Sequence, residues 1–243
     1  MSQNTVDVQA IRDWETLLRT VVGEPNPAIP QPQPVDAGKL VVLEGIDGCG
    51  KTSVSLRLQD ALTEILGRRA FFTKEPHDER ISSWLKHQDD HLARLLMYLL
   101  DRKLHVPRIR QALSDGHWVI CDRYWHSTFV YNPVPVDAGW MDESQFFQLV
   151  IHFAEGLHPD ITLWLDCPPE KALERLNLRN TWEPMRDLEL LQEAHRRYSA
   201  LAERGLMVRI DASRPMESVV SDCLETIVER LMDGYPEDSE IRP

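Results

Sequence analysis

Five short apolar runs recur along this chain: KLVVLEG (39–45), AFFTKE (70–75), HWVICD (117–122), ITLWLD (161–166) and LMVRID (206–211). Between them lie longer stretches with apolar residues at helical spacing, notably 51–66, 90–114, 143–156, 186–204 and 215–232. Short continuous runs of this kind form strands covered on both faces, and parallel neighbours need a crossover helix to reach one another. The alternation therefore predicts an α/β fold, a three-layer sandwich with a five-stranded, mostly parallel sheet and helices on both faces. Several runs end in polar groups: Glu44 and Gly45, Lys74 and Glu75, Asp122, Asp166 and Asp211. In open sheets ligands bind beyond the carboxyl ends of the strands, so these residues are expected around one crevice.

The first run leads directly into Gly45-Ile46-Asp47-Gly48-Cys49-Gly50-Lys51-Thr52, which fits GxxxxGK[ST] in full and opens the first long helical segment. Glycines let a backbone wrap closely enough for its N–H groups to meet phosphate oxygens, and a helix N-terminus adds partial positive charge. Residues 45 and 47–53, Ser53 included, are thus the candidate nucleotide-phosphate site. Lys51 is expected to reach the terminal phosphates and Thr52 to ligate Mg²⁺. The run at 117–122 ends in Asp122, where a buried strand presents an acid to that metal, and Arg123 follows with a charge suited to an acceptor phosphate. Asp166 is a rival acid, but the Pro168-Pro169 pair behind it reads as a turn. His87 and His91 have ligand spacing without a third ligand and read as a solvated helix start.

The flanks read differently. Val8, Ile11, Trp14, Leu18 and Val22 give an amphipathic helix within 1–23, and EPNPAIPQPQP marks 24–38 as an extended linker. The main domain is placed at 39–232, with an acidic tail at 233–243. A net charge of -12 argues against broad DNA contact yet leaves room for a small anion in a local pocket. No run approaches the roughly 20 apolar residues of a membrane span, and the N-terminus lacks a targeting pattern, so a cytoplasmic location is expected. The four cysteines are scattered and read as buried, reduced thiols.

From about Lys39 to Met232 the chain resembles the thymidylate kinase (dTMP kinase) family of P-loop nucleoside monophosphate kinases. The likeness rests on LEGIDGCGKT, KEP, LLMYLLDRKLHV, WVICDRYWHS, HPDITLWLDCPPEKALER and IDASRPMESV, in that order. It implies the P-loop kinase fold, ATP and Mg²⁺, nucleotide substrates and a homodimer. It further implies that Asp47 contacts the 3′-hydroxyl of the acceptor sugar, that Tyr98 stacks on thymine and that Arg102 hydrogen-bonds the base edge. Ser127 and Tyr131 match base-pocket positions, Trp182 the aromatic that favours deoxyribose, and Lys74-Glu75-Pro76 the family's Arg-Glu-Pro.

Three departures stand out. Lysine at 74 cannot make arginine's two-pronged phosphate contact. TFVYNPVP after Ser127 replaces the family's usual Ala-Tyr-Gln and glycines. Position 48 in the loop is glycine where one subgroup carries a catalytic arginine, so that charge is assigned to Arg175 or Arg179 in a short lid at about 175–186. The reading that follows is transfer of the γ-phosphoryl group of ATP to a deoxynucleoside monophosphate, most readily dTMP. Arg123 and Lys74 hold the acceptor, while Lys51 and a lid arginine neutralise the moving charge. Two alternatives stay open: a P-loop kinase with another acceptor, such as a modified pyrimidine deoxynucleotide, a nucleoside or a modified base in DNA, and a non-catalytic nucleotide-binding regulator.

Overall fold

The computed structural model describes residues 38–178 and 187–232, apart from the Val134 side chain. The N-terminal helix, the linker up to residue 37, the tail and the lid residues Arg179 and Trp182 lie outside the described residues. The described elements run β1 (Leu40–Glu44), α1 (Lys51–Leu66), β2 (Phe71–Lys74), α2 (Glu79–Leu85), α3 (His91–Ser114) and β3 (Val119–Asp122). They continue with α4 (Trp125–Tyr131), α5 (Val134–Asp137), α6 (Glu143–His152), β4 (Ile161–Asp166), α7 (Pro169–Leu178), α8 (Leu188–Glu203), β5 (Val208–Asp211) and α9 (Met216–Leu231).

The five strands form one parallel sheet in the order β2-β3-β1-β4-β5. All five residues of β1, LVVLE, are buried, as a central strand covered by helices requires. It pairs with β3 on one side, Leu43 opposite Asp122, and with β4 on the other, Glu44 opposite Trp164. From β1 the chain crosses to β2 at one edge, returns inward to β3 beside β1, and then crosses to β4 and β5 on the other side. A crevice therefore opens at the carboxyl end of β1, the switch point where such folds bind ligands.

The strands and five of the six described helices of ten or more residues fall where the apolar periodicity puts them, within a few residues; α7 (Pro169–Leu178) is the one not foreseen. The helices α2, α4 and α5, of 7, 7 and 4 residues, are too short to complete a recognisable periodic stripe. The turn expected after Asp166 is followed at once by α7, with Pro169 in its first position, where a missing N–H costs nothing. Helix α6 stops at His152 rather than 156, because Glu155 and Gly156 adopt positive φ.

Helix N-termini divide into two kinds. Asp78, Asp90, Asp142 and Asp187 cap α2, α3, α6 and α8 with their side chains. Helices α1, α4 and α9 begin with no side-chain cap; of these α1 follows the glycine loop, so its first-turn N–H groups are open to a phosphate. Cys49, Cys121, Cys167 and Cys223 are all buried free thiols.

Candidate active site

The loop between β1 and α1 is shaped by its glycines. Gly48 has φ +84, and a Cβ there would lie 2.3 Å from the Ala172 carbonyl oxygen of α7. An arginine at this position is sterically excluded, which supplies a physical reason for the residue read as a missing charge. Lys51 is buried, and its Nζ donates to the carbonyls of Gly45 and Ile46, both at 2.8 Å. The ammonium thereby rests on the loop it is meant to serve.

Thr52 and Asp122 meet as expected. The threonine hydroxyl donates to Asp122 Oδ2 at 2.5 Å, while the buried Asp122 Oδ1 has no hydrogen-bond partner. A hydroxyl beside a carboxylate with an orphaned oxygen is a donor set suited to Mg²⁺, a hard cation that takes oxygen ligands. The rival Asp166 is committed elsewhere, to His195 Nε2 at 2.6 Å and to Arg209 at 2.5 Å.

Directly after β3, Arg123 adopts φ 72. It pairs with Asp47, donates to Ser127 Oγ at 2.9 Å and to the Gly45 carbonyl at 3.3 Å, and lies over the Tyr131 ring. Tyr131 in turn accepts from the Asp47 backbone N–H at 3.1 Å. Burial, reinforced by the Asp47 charge, pushes the Tyr131 hydroxyl well above its ordinary range and keeps it protonated. Tyr98 is half-buried nearby, its hydroxyl 3.4 Å from Arg94 Nη2, and burial raises it as well. The structure thus gathers Asp47, Arg123, Ser127 and Tyr131 into one cluster. The Asp47 carboxylate meets Arg123 here, not a free sugar position.

Two residues assigned to the base pocket have other engagements. The Ser127 hydroxyl donates to Glu44 Oε2 at 2.6 Å and lies 2.9 Å from the Tyr198 hydroxyl, so it braces Arg123 from behind. Arg102 is 1% exposed; one of its nitrogens, Nη2, binds Glu75 and also Thr128 Oγ1 at 2.9 Å. Its Nε and Nη1 carry no hydrogen-bond partner. Glu75 itself follows β2, its N–H on the Asp122 carbonyl at 3.0 Å, and is joined to Pro76 by a cis peptide. Lys74 is exposed at the end of β2, opposite Asp122 in the sheet register.

Arg175 lies in the last turn of α7. From α7 it donates to the Cys49 carbonyl at 3.2 Å and the Ala212 carbonyl at 3.3 Å. It lines a cleft of about 530 Å³ with Gly50, Ser53, Val54, Lys171 and Met216. The Arg175 guanidinium is thus engaged by the Cys49 and Ala212 backbone carbonyls.

Glu44 was legible only as a polar strand end, yet it organises this region. Fully buried, it accepts from the backbone N–H groups of Tyr124 (2.8 Å) and Ser127 (3.2 Å), and from the Ser127 and Tyr198 hydroxyls. Burial alone pushes its pKa up, but His126, Ser127 and Arg123 outweigh that and hold it at about 2. Tyr198 is 154 residues away, a distance at which no local pattern announces the contact.

A parallel sheet, an uncapped glycine-lined helix start and a strand-end acid on the loop threonine define a P-loop nucleotide-binding protein of the α/β class. The thymidylate kinase family model matches residues 43–223. A probable thymidylate kinase of Methanosarcina mazei is 32% identical over 200 residues, covering 79% of this chain and 96% of that protein. A probable thymidylate kinase of Staphylothermus marinus is 33% identical, covering 80% and 97%. The thymidylate kinase of a Synechococcus strain is 34% identical, covering 75% and 92%. The chain belongs to the thymidylate kinase family.

Proposed function

We propose that this protein transfers the γ-phosphoryl group of ATP to the phosphate of dTMP, giving dTDP and ADP. Family membership together with the Thr52–Asp122 contact at the mouth of an uncapped phosphate loop carries the reading. The acceptor oxygen is ionised at neutral pH, so the reaction needs alignment and charge neutralisation rather than a strong base. First-turn N–H groups of α1 and Lys51 grip the donor phosphates, and the cleft beside Arg175 takes the donor base. Arg123, released from Asp47, holds the acceptor phosphate with help from Lys74, and the freed Asp47 meets the sugar. Tyr98 and the unpartnered nitrogens of Arg102 face the acceptor base, and Trp182 discriminates its sugar. Thr52 and Asp122 would hold Mg²⁺, which when bound supplies positive charge to the phosphate oxygens. Arg179 supplies the remaining charge from the lid.

An acceptor screen with labelled ATP against the deoxynucleoside monophosphates tests the assignment. Preferential labelling of dTMP is expected, and transfer to a different acceptor, or to none, would overturn it. The protein acts as a homodimer in this reading, supported by Leu96, Leu100 and Leu104, 45–50% exposed and four residues apart along α3. A monomer in sedimentation at micromolar concentration would sink the dimer. Among the described residues no helix is long and apolar enough to cross a membrane, which fits a reading in which the protein works in the cytoplasm.

A further inference from the structure

Behind Arg102 lies a line of hydrogen-bonding side chains that no step above uses. Arg108 Nη1 is 2.9 Å from His77 Nε2, and His77 Nδ1 is 3.4 Å from Thr73 Oγ1. Thr73 Oγ1 is 2.7 Å from His105 Nε2, and His105 Nδ1 is 3.2 Å from Glu75 Oε1. The other Glu75 oxygen receives Arg102. His77 and His105 stack with ring centroids 4.3 Å apart, and the Asp101 carboxylate pins the turn by accepting from the His77 and Asp78 backbone N–H groups at 2.7 and 2.8 Å.

The partners assign every proton in this line. Arg108 has no acceptor, so it donates to His77 Nε2, and the His77 proton lies on Nδ1, facing Thr73. The single Thr73 hydroxyl proton is then free for His105 Nε2, which leaves His105 with its proton on Nδ1, directed at Glu75. A carboxylate held from both sides in this way has one orientation, and it fixes the plane of the Arg102 guanidinium.

We propose that His105, 1% exposed, is a positioning residue for acceptor-base recognition, acting through Glu75 on Arg102. This rests on the dTMP reading above. The two ring nitrogens have separate duties: Nδ1 orients Glu75, and Nε2 reads the proton supplied by Thr73.

Two amide variants separate those duties. The His105→Asn amide reaches the Nδ1 position and keeps the Glu75 contact, whereas the His105→Gln amide reaches the Nε2 position and meets Thr73 instead. With ATP saturating, His105→Gln is expected to raise KM for dTMP by about tenfold, with kcat and KM for ATP within about twofold of the parent. His105→Asn is expected to restore KM for dTMP to within about twofold of the parent, and Thr73→Val to fall between the two. Equal KM values in the Asn and Gln variants, or loss of thermal stability with unchanged KM, would overturn the proposal. Arg102→Lys separates the two levels of failure. If it too leaves KM for dTMP unchanged, the acceptor-site reading itself is wrong. If it raises KM while both His105 variants do not, only the role of His105 falls.

Discussion

The two halves of the site are built in opposite ways. In the proposed reaction the donor half is eight consecutive residues, 45–52, that work largely through backbone: glycine geometry, an uncapped helix start and a lysine laid on loop carbonyls. The acceptor half is made of side chains from the loop after β2, α3, α4 and the ends of β1 and β3, tied to one another in ion pairs and hydrogen bonds. A phosphate is the same in every nucleotide, so a local, rigid cradle suffices for it. A base and sugar differ between nucleotides, and reading them takes groups aimed from several directions.

That contrast can be broken by substitution, and the largest effect is expected where the two halves are joined. Gly48 has no room for an arginine, and the Arg175 guanidinium is engaged by the Cys49 carbonyl. Arg179→Ala should therefore lower kcat by roughly 10³-fold or more while ATP binding, followed by titration calorimetry, persists. Near-normal turnover would return the neutralising role to Arg175.

On the acceptor side, the carboxylate of Glu44 is held at about pKa 2 against an ordinary value of 4.5. A depressed carboxylate stabilises the fold above its unfolded pKa, and that contribution is lost as pH falls through the folded value. Glu44→Gln should thus cost about 3 kcal/mol at pH 7, with the deficit shrinking between about pH 4.5 and 2. Urea denaturation across that range checks it, and a deficit independent of pH would remove the carboxylate charge from the account. The smallest effect is expected where side chain meets loop. Tyr131→Phe deletes one hydrogen bond to the Asp47 N–H and should cost about 1 kcal/mol in the same assay.

The same contrast decides what could be read from sequence. Lys51, Thr52 and Asp122 were legible because a local motif and a strand end carry them, and the glycine at 48 was legible as an absence. Asp47 and Arg123 were each legible, but their mutual ion pair, 76 residues apart in sequence, was not. Ser127 was assigned to the base by likeness, yet its hydroxyl serves Glu44, because a buried carboxylate demands every donor within reach. Glu44 is legible only as a polar strand end, and no local pattern gives Tyr198 or His105 the contacts they make. Their roles exist only once the sheet brings distant segments together.

The buried thiols give the molecule a built-in clock. Cys121 and Cys223 are wholly enclosed, and burial pushes the Cys223 thiol up to about 12 and Cys121 well above its usual value. An alkylating reagent that needs thiolate meets them chiefly when the whole domain opens. Cys49 is also buried but belongs to the phosphate loop, with its sulfur 3.6 Å from Lys51 Nζ. Its labelling rate times the breathing of that loop, and a bound nucleotide should slow this one thiol while leaving the other two on the schedule of global unfolding.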